Sequence, residues 1–274
     1  MLSFWQILVL GLVQGGAEFL PVSSSGHLVL VASFLNLSSN LAVETLLNWG
    51  TILVIVIFFW KQIANVLKDL LSRTINLNIK KEIVAKLAIG VFPAVIAGLL
   101  LGDLIENNLH GTNTVIIMLM LVGLGMIFIK PKREYKRPAK VLNRNIVQEV
   151  SYRQALVIGL VQPLALVSGT SRSGITILAG IATGLKMEVA AAYSFLIGLP
   201  VILGATLKLS LSEEGRSFVS NNLSLVLAGN FASFVVGLVA AYTLMGVVKK
   251  HGLKPFGYYR IALAVVVGAS LLLK

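Results

Sequence analysis

Residues 6–26, QILVLGLVQGGAEFLPVSSSG, return without a gap as residues 154–174, QALVIGLVQPLALVSGTSRSG, at a constant shift of 148. The stretches agree at 11 of 21 positions, among them Gln6/Gln154, Gly11/Gly159, Gln14/Gln162, Ser23/Ser171, Ser25/Ser173 and Gly26/Gly174. Agreement at Leu and Val means little in an apolar chain. Agreement at Gln, Gly and Ser marks two copies of one structural unit, one opening each half. Paired halves with broken, polar-tipped apolar segments are how membrane proteins build a site at mid-bilayer.

Composition identifies the solvent. With 57% hydrophobic residues, 12% charged residues and a mean hydropathy of +0.89, the 274 residues hold too little polar surface to coat a soluble globule. The chain is expected in a bilayer. A net charge of +12 would suit a nucleic-acid binder, but the Lys and Arg residues form short blocks between apolar runs, with no aromatic interleaving. Positive-inside topology accounts for them, and no nucleic-acid partner is expected. With no Cys, disulfides, a thiol nucleophile and a thiolate metal site are excluded. The N-terminus carries neither a charged n-region nor a small-residue cleavage site, so the first apolar run is expected to be structural.

Ten apolar stretches follow one another, roughly at 4–20, 26–37, 45–60, 83–101, 114–129, 154–168, 174–185, 190–209, 222–247 and 257–273. They fall into two sets of five. The first two of each set are cut by the serine-glycine motif to about half a helix, against the ~20 residues of a full span. Such pairs read as re-entrant helical hairpins, each followed by three complete spans. Three is odd, so the second half inserts upside down. The expected fold is an all-α integral membrane protein, an inverted-topology repeat with six transmembrane helices and two re-entrant helical hairpins whose tips meet. It forms a single membrane domain over 1–274, with a first repeat at 1–130, a basic cytoplasmic linker at 131–151 and a second repeat at 152–274.

Charge tests this threading independently. The connections at 61–86, 130–153, 184–189 and 248–256 fall on one face and carry 18 of the 23 basic residues. The opposite face receives Glu44 in the 36–46 connection, Asp103 and Glu106 in the 102–113 connection, and the mixed 210–221 connection. The basic face is therefore expected to be cytoplasmic, with both termini outside and the first hairpin entering from the exterior. The segment KPKREYKRPAKVLNR, 130–144, reads as a mobile, solvated linker that favours anionic headgroups.

An ion inside apolar sequence costs about 2.5–3.5 kcal/mol even on the lenient insertion scale, so the chemistry rests with the few polar residues that remain there. Glu18 is the one acid within an apolar stretch, Arg172 the one base at a hairpin tip, and His27 the one His close to such a tip. Gln14 and Glu18, spaced i and i+4, share a helix face and suit a hard divalent cation, a donor network or polar glue between helices. Ser23-Ser24-Ser25-Gly26 and Ser171-Arg172-Ser173-Gly174 each place hydroxyls and free amides where a helix begins, which makes an anion cradle as well as a cap. Arg172 adds a planar fork that holds two phosphate oxygens. His27 lies one turn past Ser24, in position for a general base or for a structural donor. Thr176 offers another hydroxyl to a phosphate, or bonds back within its helix.

GAEFLPVSSSGH at 16–27, SGTSRSGIT at 168–176, YRQA at 152–155 and GYYR at 257–260 resemble the signature segments of the undecaprenyl-diphosphate phosphatases of the bacitracin-resistance type, and the likeness covers nearly the whole chain. The resemblance implies a hydrolase of the plasma membrane that converts a polyprenyl diphosphate to the monophosphate and inorganic phosphate. Such an enzyme recycles the lipid carrier for peptidoglycan synthesis at the outer face and uses a divalent cation, Ca2+ or Mg2+. It assigns Glu18, Ser24, His27 and Arg172 to catalysis and Gln14 with Glu18 to the metal. It assigns Ser23, Ser25, Gly26, Ser171, Ser173, Gly174, Thr176 and Arg260 to substrate. Two departures stand out: Ser168-Gly169 where the family has Pro-Gly, and Gln14 for the first acid, which removes a negative charge from the metal site.

The expected arrangement has the diphosphate between the two tips, with Ser24 either attacking or orienting a water for His27. The expected partners are a polyprenyl diphosphate lipid and the bilayer, with a homodimer left open. A transporter or flippase of a phosphorylated lipid is the rival reading, since opposed hairpins also serve translocation. Translocation needs anion donors but no base or nucleophile.

Overall fold

The computed structural model describes residues 3–37, 41–129 and 145–272, and no strand occurs among them. The first half comprises α1 (Phe4–Phe19), α2 (Ser24–Phe34), α3 (Leu41–Leu46), α4 (Asn48–Phe58), α5 (Trp60–Leu71), α6 (Leu77–Leu109) and α7 (Thr112–Phe128). The second comprises α8 (Tyr152–Val161), a 3-10 turn at Gln162–Leu166, α9 (Arg172–Ala182), α10 (Met187–Leu211), α11 (Glu213–Asn221), α12 (Leu223–His251) and α13 (Lys254–Leu272).

The duplicated segments begin alike. Ser3 and Gln6 cap α1 reciprocally, and Ser151 and Gln154 do the same for α8. Pro21 forces Leu20 into extended backbone and stops α1, while Pro163 turns the end of α8 into a 3-10 segment. Both segments then pass through a serine at positive φ, Ser23 at 81° and Ser171 at 71°. The hydroxyls of these serines accept from the amides of Gly26 and Gly174 and start α2 and α9.

Helices α6, α10 and α12 are long and apolar enough to cross a membrane over Leu77–Ile105, Met187–Leu211 and Leu223–Val248. A fourth span is added if Ala42–Phe58 and Trp60–Leu71, bent by 70°, are one. Helices α7 and α13, at 17 and 19 residues, are not among them. Trp5, Phe34, Leu100, Phe128, Phe231 and Tyr242 are exposed, an apolar surface suited to lipid rather than water. The chain is a multi-pass membrane protein.

Close backbone approaches join the halves crosswise. Helix α1 packs on α12 and α8 on α6. A Cβ on Gly11 or Gly15 would overlap the carbonyl of Gly229 or Ser233, and one on Gly159 that of Ile89. Helices α7 and α13 cross where Gly123 and Gly257 face each other.

Several sequence expectations change. The 61–86 and 210–221 connections are largely helical, as α5, the start of α6 and α11, and α6 runs on through most of the 102–113 connection. The linker's charged part, 130–144, lies outside the described residues. Just beyond it, Ile146, Val147 and Val150 are fully buried and Asn145 donates to Asp69 at 2.8 Å, because these three apolar positions find the core.

Candidate active site

Where the two tips converge lies a cavity of about 210 Å³ lined by Gln14, Glu18, Ser24, Ser25, Glu44, Asn48, Gln162, Ser171, Arg172 and Ser173. Its other wall is apolar, built from Leu28, Ala94, Ala165, Leu166, Val201, Ile202 and Ala205. A charged head and a hydrocarbon tail can therefore be held side by side.

Glu18 is the hub. Its Oε1 accepts from Nη2 of Arg172 at 3.0 Å, joining the first tip to the second across 154 residues, with both side chains about nine-tenths buried. Its Oε2 accepts from the Ser24 hydroxyl at 2.8 Å and from Gln14 Nε2 at 3.4 Å. Gln14 also donates to Asn48 Oδ1 at 2.6 Å, and the Ser173 hydroxyl donates to the Glu18 carbonyl at 3.3 Å. Arg172 is aimed from behind. Its Nη1 donates to Ser194 O at 3.1 Å, its guanidinium lies 5.4 Å from the Phe195 ring centroid, and any Cβ at position 198 would overlap it, so Gly198 leaves room for the cation. Phe195 stacks between Phe19 and Phe59 at 5.5 and 4.9 Å. A buried charge held by a carboxylate, a carbonyl and a ring face has one orientation.

Not every residue expected in the site is there. Ser24, Ser25, Ser171, Ser173, Gln14, Glu18 and Arg172 line the cavity. Ser23 is fully buried as the cap of α2, and Gly174 packs against Met126. At Gly26 an added Cβ would come 3.2 Å from Gly169 Cα, so that glycine lets the tips touch. Thr176 bonds back to Arg172 O at 2.7 Å and pairs with the Ser194 hydroxyl at 2.6 Å, the in-helix alternative. His27 makes no hydrogen bond to Ser24 among the described residues. Its Nδ1 donates to Ser23 O at 2.7 Å and its Nε2 takes the Tyr259 hydroxyl at 2.7 Å, because the α2 turn aims the ring at α13. Arg260 does not line the cavity either; it is fully buried and, among the described residues, donates to backbone carbonyls.

Sequence reasoning missed Asn48, Glu44, Gln162, Ser194 and Gly198. Gln162 carried a signal, since it repeats Gln14. It is 1% exposed, donates to Gly90 O at 2.9 Å, and its Oε1 has no hydrogen-bond partner among the described residues. Glu44, from the 36–46 connection, lines the cavity with its carboxylate 3.7 Å from His110.

Fold and site together define a multi-pass membrane protein with a cavity that holds a buried arginine and a carboxylate-held hydroxyl and is bordered by an apolar wall. The family model described as "Bacitracin resistance protein BacA" matches residues 7–266, and the chain belongs to that family. Undecaprenyl-diphosphatase 1 of Bacillus anthracis is 39% identical over 269 residues, covering 97% of each chain. Its counterpart in Clostridioides difficile is 36% identical over 274 residues, covering 97% of this chain and 96% of its own. The undecaprenyl-diphosphatase of the archaeon Methanosphaera stadtmanae is 34% identical over 279 residues, covering 97% of each.

Proposed function

We infer that this chain is a membrane phosphatase that hydrolyses undecaprenyl diphosphate to the monophosphate and inorganic phosphate, recycling the lipid carrier. The observation that carries the reading is the Ser24–Glu18–Arg172 constellation across the two tips, in a chain whose relatives bear that enzyme's name. The terminal phosphate lies against Arg172 and the tip hydroxyls, and the isoprenoid runs along the wall of Ala94, Leu166, Val201 and Ala205. Phosphoryl transfer asks mainly for positioning and charge neutralisation. Arg172 Nε is buried and has no acceptor among the described residues.

Glu18 rather than His27 is the base. In one route the Ser24 Oγ attacks the terminal phosphorus, its proton passes to Glu18, and the bond to the bridging oxygen breaks, releasing the lipid monophosphate; water then displaces the phosphoserine. In the other, Glu18 and Ser24 orient a water that attacks directly. Trapping a phosphoseryl enzyme separates the two.

A hard divalent cation fits the donors in part. Among the described residues no group of three or more His, Cys, Asp or Glu converges. The Glu18 carboxylate and the Asn48 amide oxygen both face the Gln14 NH2, so Gln14 would have to turn its amide over to add a third oxygen to the kind of set Mg2+ accepts when phosphate oxygens complete its shell. When bound there, the cation would neutralise phosphate charge beside Glu18.

The repeat reading also stands here as ours. Six spans, with α7 and α13 completing them, and two re-entrant hairpins, α1–α2 and α8–α9, are supported by the matched caps, the matched positive-φ serines and the crosswise pairs α1–α12 and α8–α6. A 17-residue α7 is about 26 Å long, near the hydrocarbon thickness. The basic face is cytoplasmic, the termini and the cavity mouth are outside, and the repeats meet at the 131–151 linker.

The test is release of inorganic phosphate from a polyprenyl diphosphate by detergent-purified protein, with and without chelator. Release that stops on chelation and returns with Mg2+ or Ca2+ fits. No release under any ion condition sinks the reading.

A further inference from the structure

Arg260 and Tyr259 sit side by side on α13, outside the cavity, and between them hold both tips. The Arg260 guanidinium is fully buried, and among the described residues its acceptors are five carbonyls from three segments. Nη1 donates to Pro21 O at 3.2 Å, two residues before the first tip serine. Nη2 reaches Gly169 O at 2.7 Å and Thr170 O at 3.1 Å, next to the second tip serine. Nη2 and Nε also reach Met118 O at 3.1 Å and Leu119 O at 3.4 Å on α7. Tyr259 meets His27 at 2.7 Å with the rings nearly parallel, 5.7 Å apart, so the turn after the first tip is held as well. The Gly123–Gly257 crossing brings α13 close enough for these reaches.

We propose that Tyr259 and Arg260 are positioning residues: they fix the separation of the two tips, and so the Glu18–Arg172 distance, without touching the substrate. The physical ground is the acceptor set. A fully buried guanidinium whose three nitrogens all donate to carbonyls behind the tips is turned away from phosphate, and its planar fork spans three segments that a shorter or single-point donor cannot. The tips touch at Gly26 and Gly169, so a loosened clamp opens the cavity at its seam. The proposal rests on the phosphatase reading for its kinetic arm only.

Arg260→Lys keeps the charge and Arg260→Gln keeps donors without charge. Both are expected to lower kcat at least tenfold and alike, while inhibition by inorganic pyrophosphate stays within about threefold of the parent, since Arg172 and the tip hydroxyls remain. Tyr259→Phe, which removes only the hydroxyl held by His27, is expected to lower kcat a few-fold with an unchanged melting temperature. The chain has no cysteine, so Leu20→Cys with Val167→Cys gives a spin-label pair across the tips, and Arg260→Gln should broaden their distance distribution. An active Arg260→Lys beside a dead Arg260→Gln, with pyrophosphate inhibition lost, would place the charge on substrate and overturn the proposal. Parental kcat in both, or an unbroadened distribution, also overturns it. If the Arg260 variants do not fold, parental kcat in Tyr259→Phe is the refuting result. A parent protein that releases no phosphate refutes the phosphatase reading instead, and the spin-label arm still decides the clamp.

Discussion

Glu18 carries three partners on one carboxylate, and each answers differently to substitution. Ser24→Ala removes one donor from a partly exposed site, so phosphate release should fall about 10²–10⁴-fold while the thermal midpoint holds. Glu18→Ala also strands the buried Arg172, so activity is lost together with stability, on the order of 3–5 kcal/mol in a denaturant titration. An active Glu18→Ala enzyme would contradict its role as base. Gly198→Ala adds one methyl where the Arg172 guanidinium lies. Displacing that fork by about an ångström should cost on the order of 10²-fold in kcat/KM, measured beside an unchanged circular dichroism spectrum.

Among the elements, short helices are made precise by long ones. Helices α2 and α9 have 11 residues each, too few to cross a bilayer, and take their placement from tertiary contact. Helix α1 is fixed by the approach of Gly11 and Gly15 to α12. Gly15→Ala should therefore overpack the α1–α12 seam and lower stability by about 1–3 kcal/mol, read as a lower melting temperature in detergent. An unchanged melting temperature would mean that this seam yields freely.

For the whole molecule, the two halves complete each other: Glu18 comes from the first and Arg172 from the second, and neither tip alone holds a neutralised polar pair. Orientation in the membrane follows from charge. Introduced singly, Ser220→Cys should react with an impermeant thiol reagent in intact cells, whereas Ser72→Cys should react only after permeabilisation. The reverse pattern would invert the topology.

The bilayer, the duplication, the serine-glycine tips and the two costly ions Glu18 and Arg172 were legible because each is a local signal: composition, a fixed shift, helix-start chemistry, a charge in apolar sequence. The directions of His27 and Arg260 were not legible, because nothing local says which way a buried side chain turns. That direction is set by α13, whose crossing of α7 at Gly123 and Gly257 joins segments over a hundred residues apart. Asn48, Gln162 and Gly198 were hidden for the same reason: each matters only for what another helix brings against it. The sequence alone determined which groups had to leave water; the tertiary structure decided which of them face the cavity and which hold it together, since burying a polar group demands a partner but does not name one.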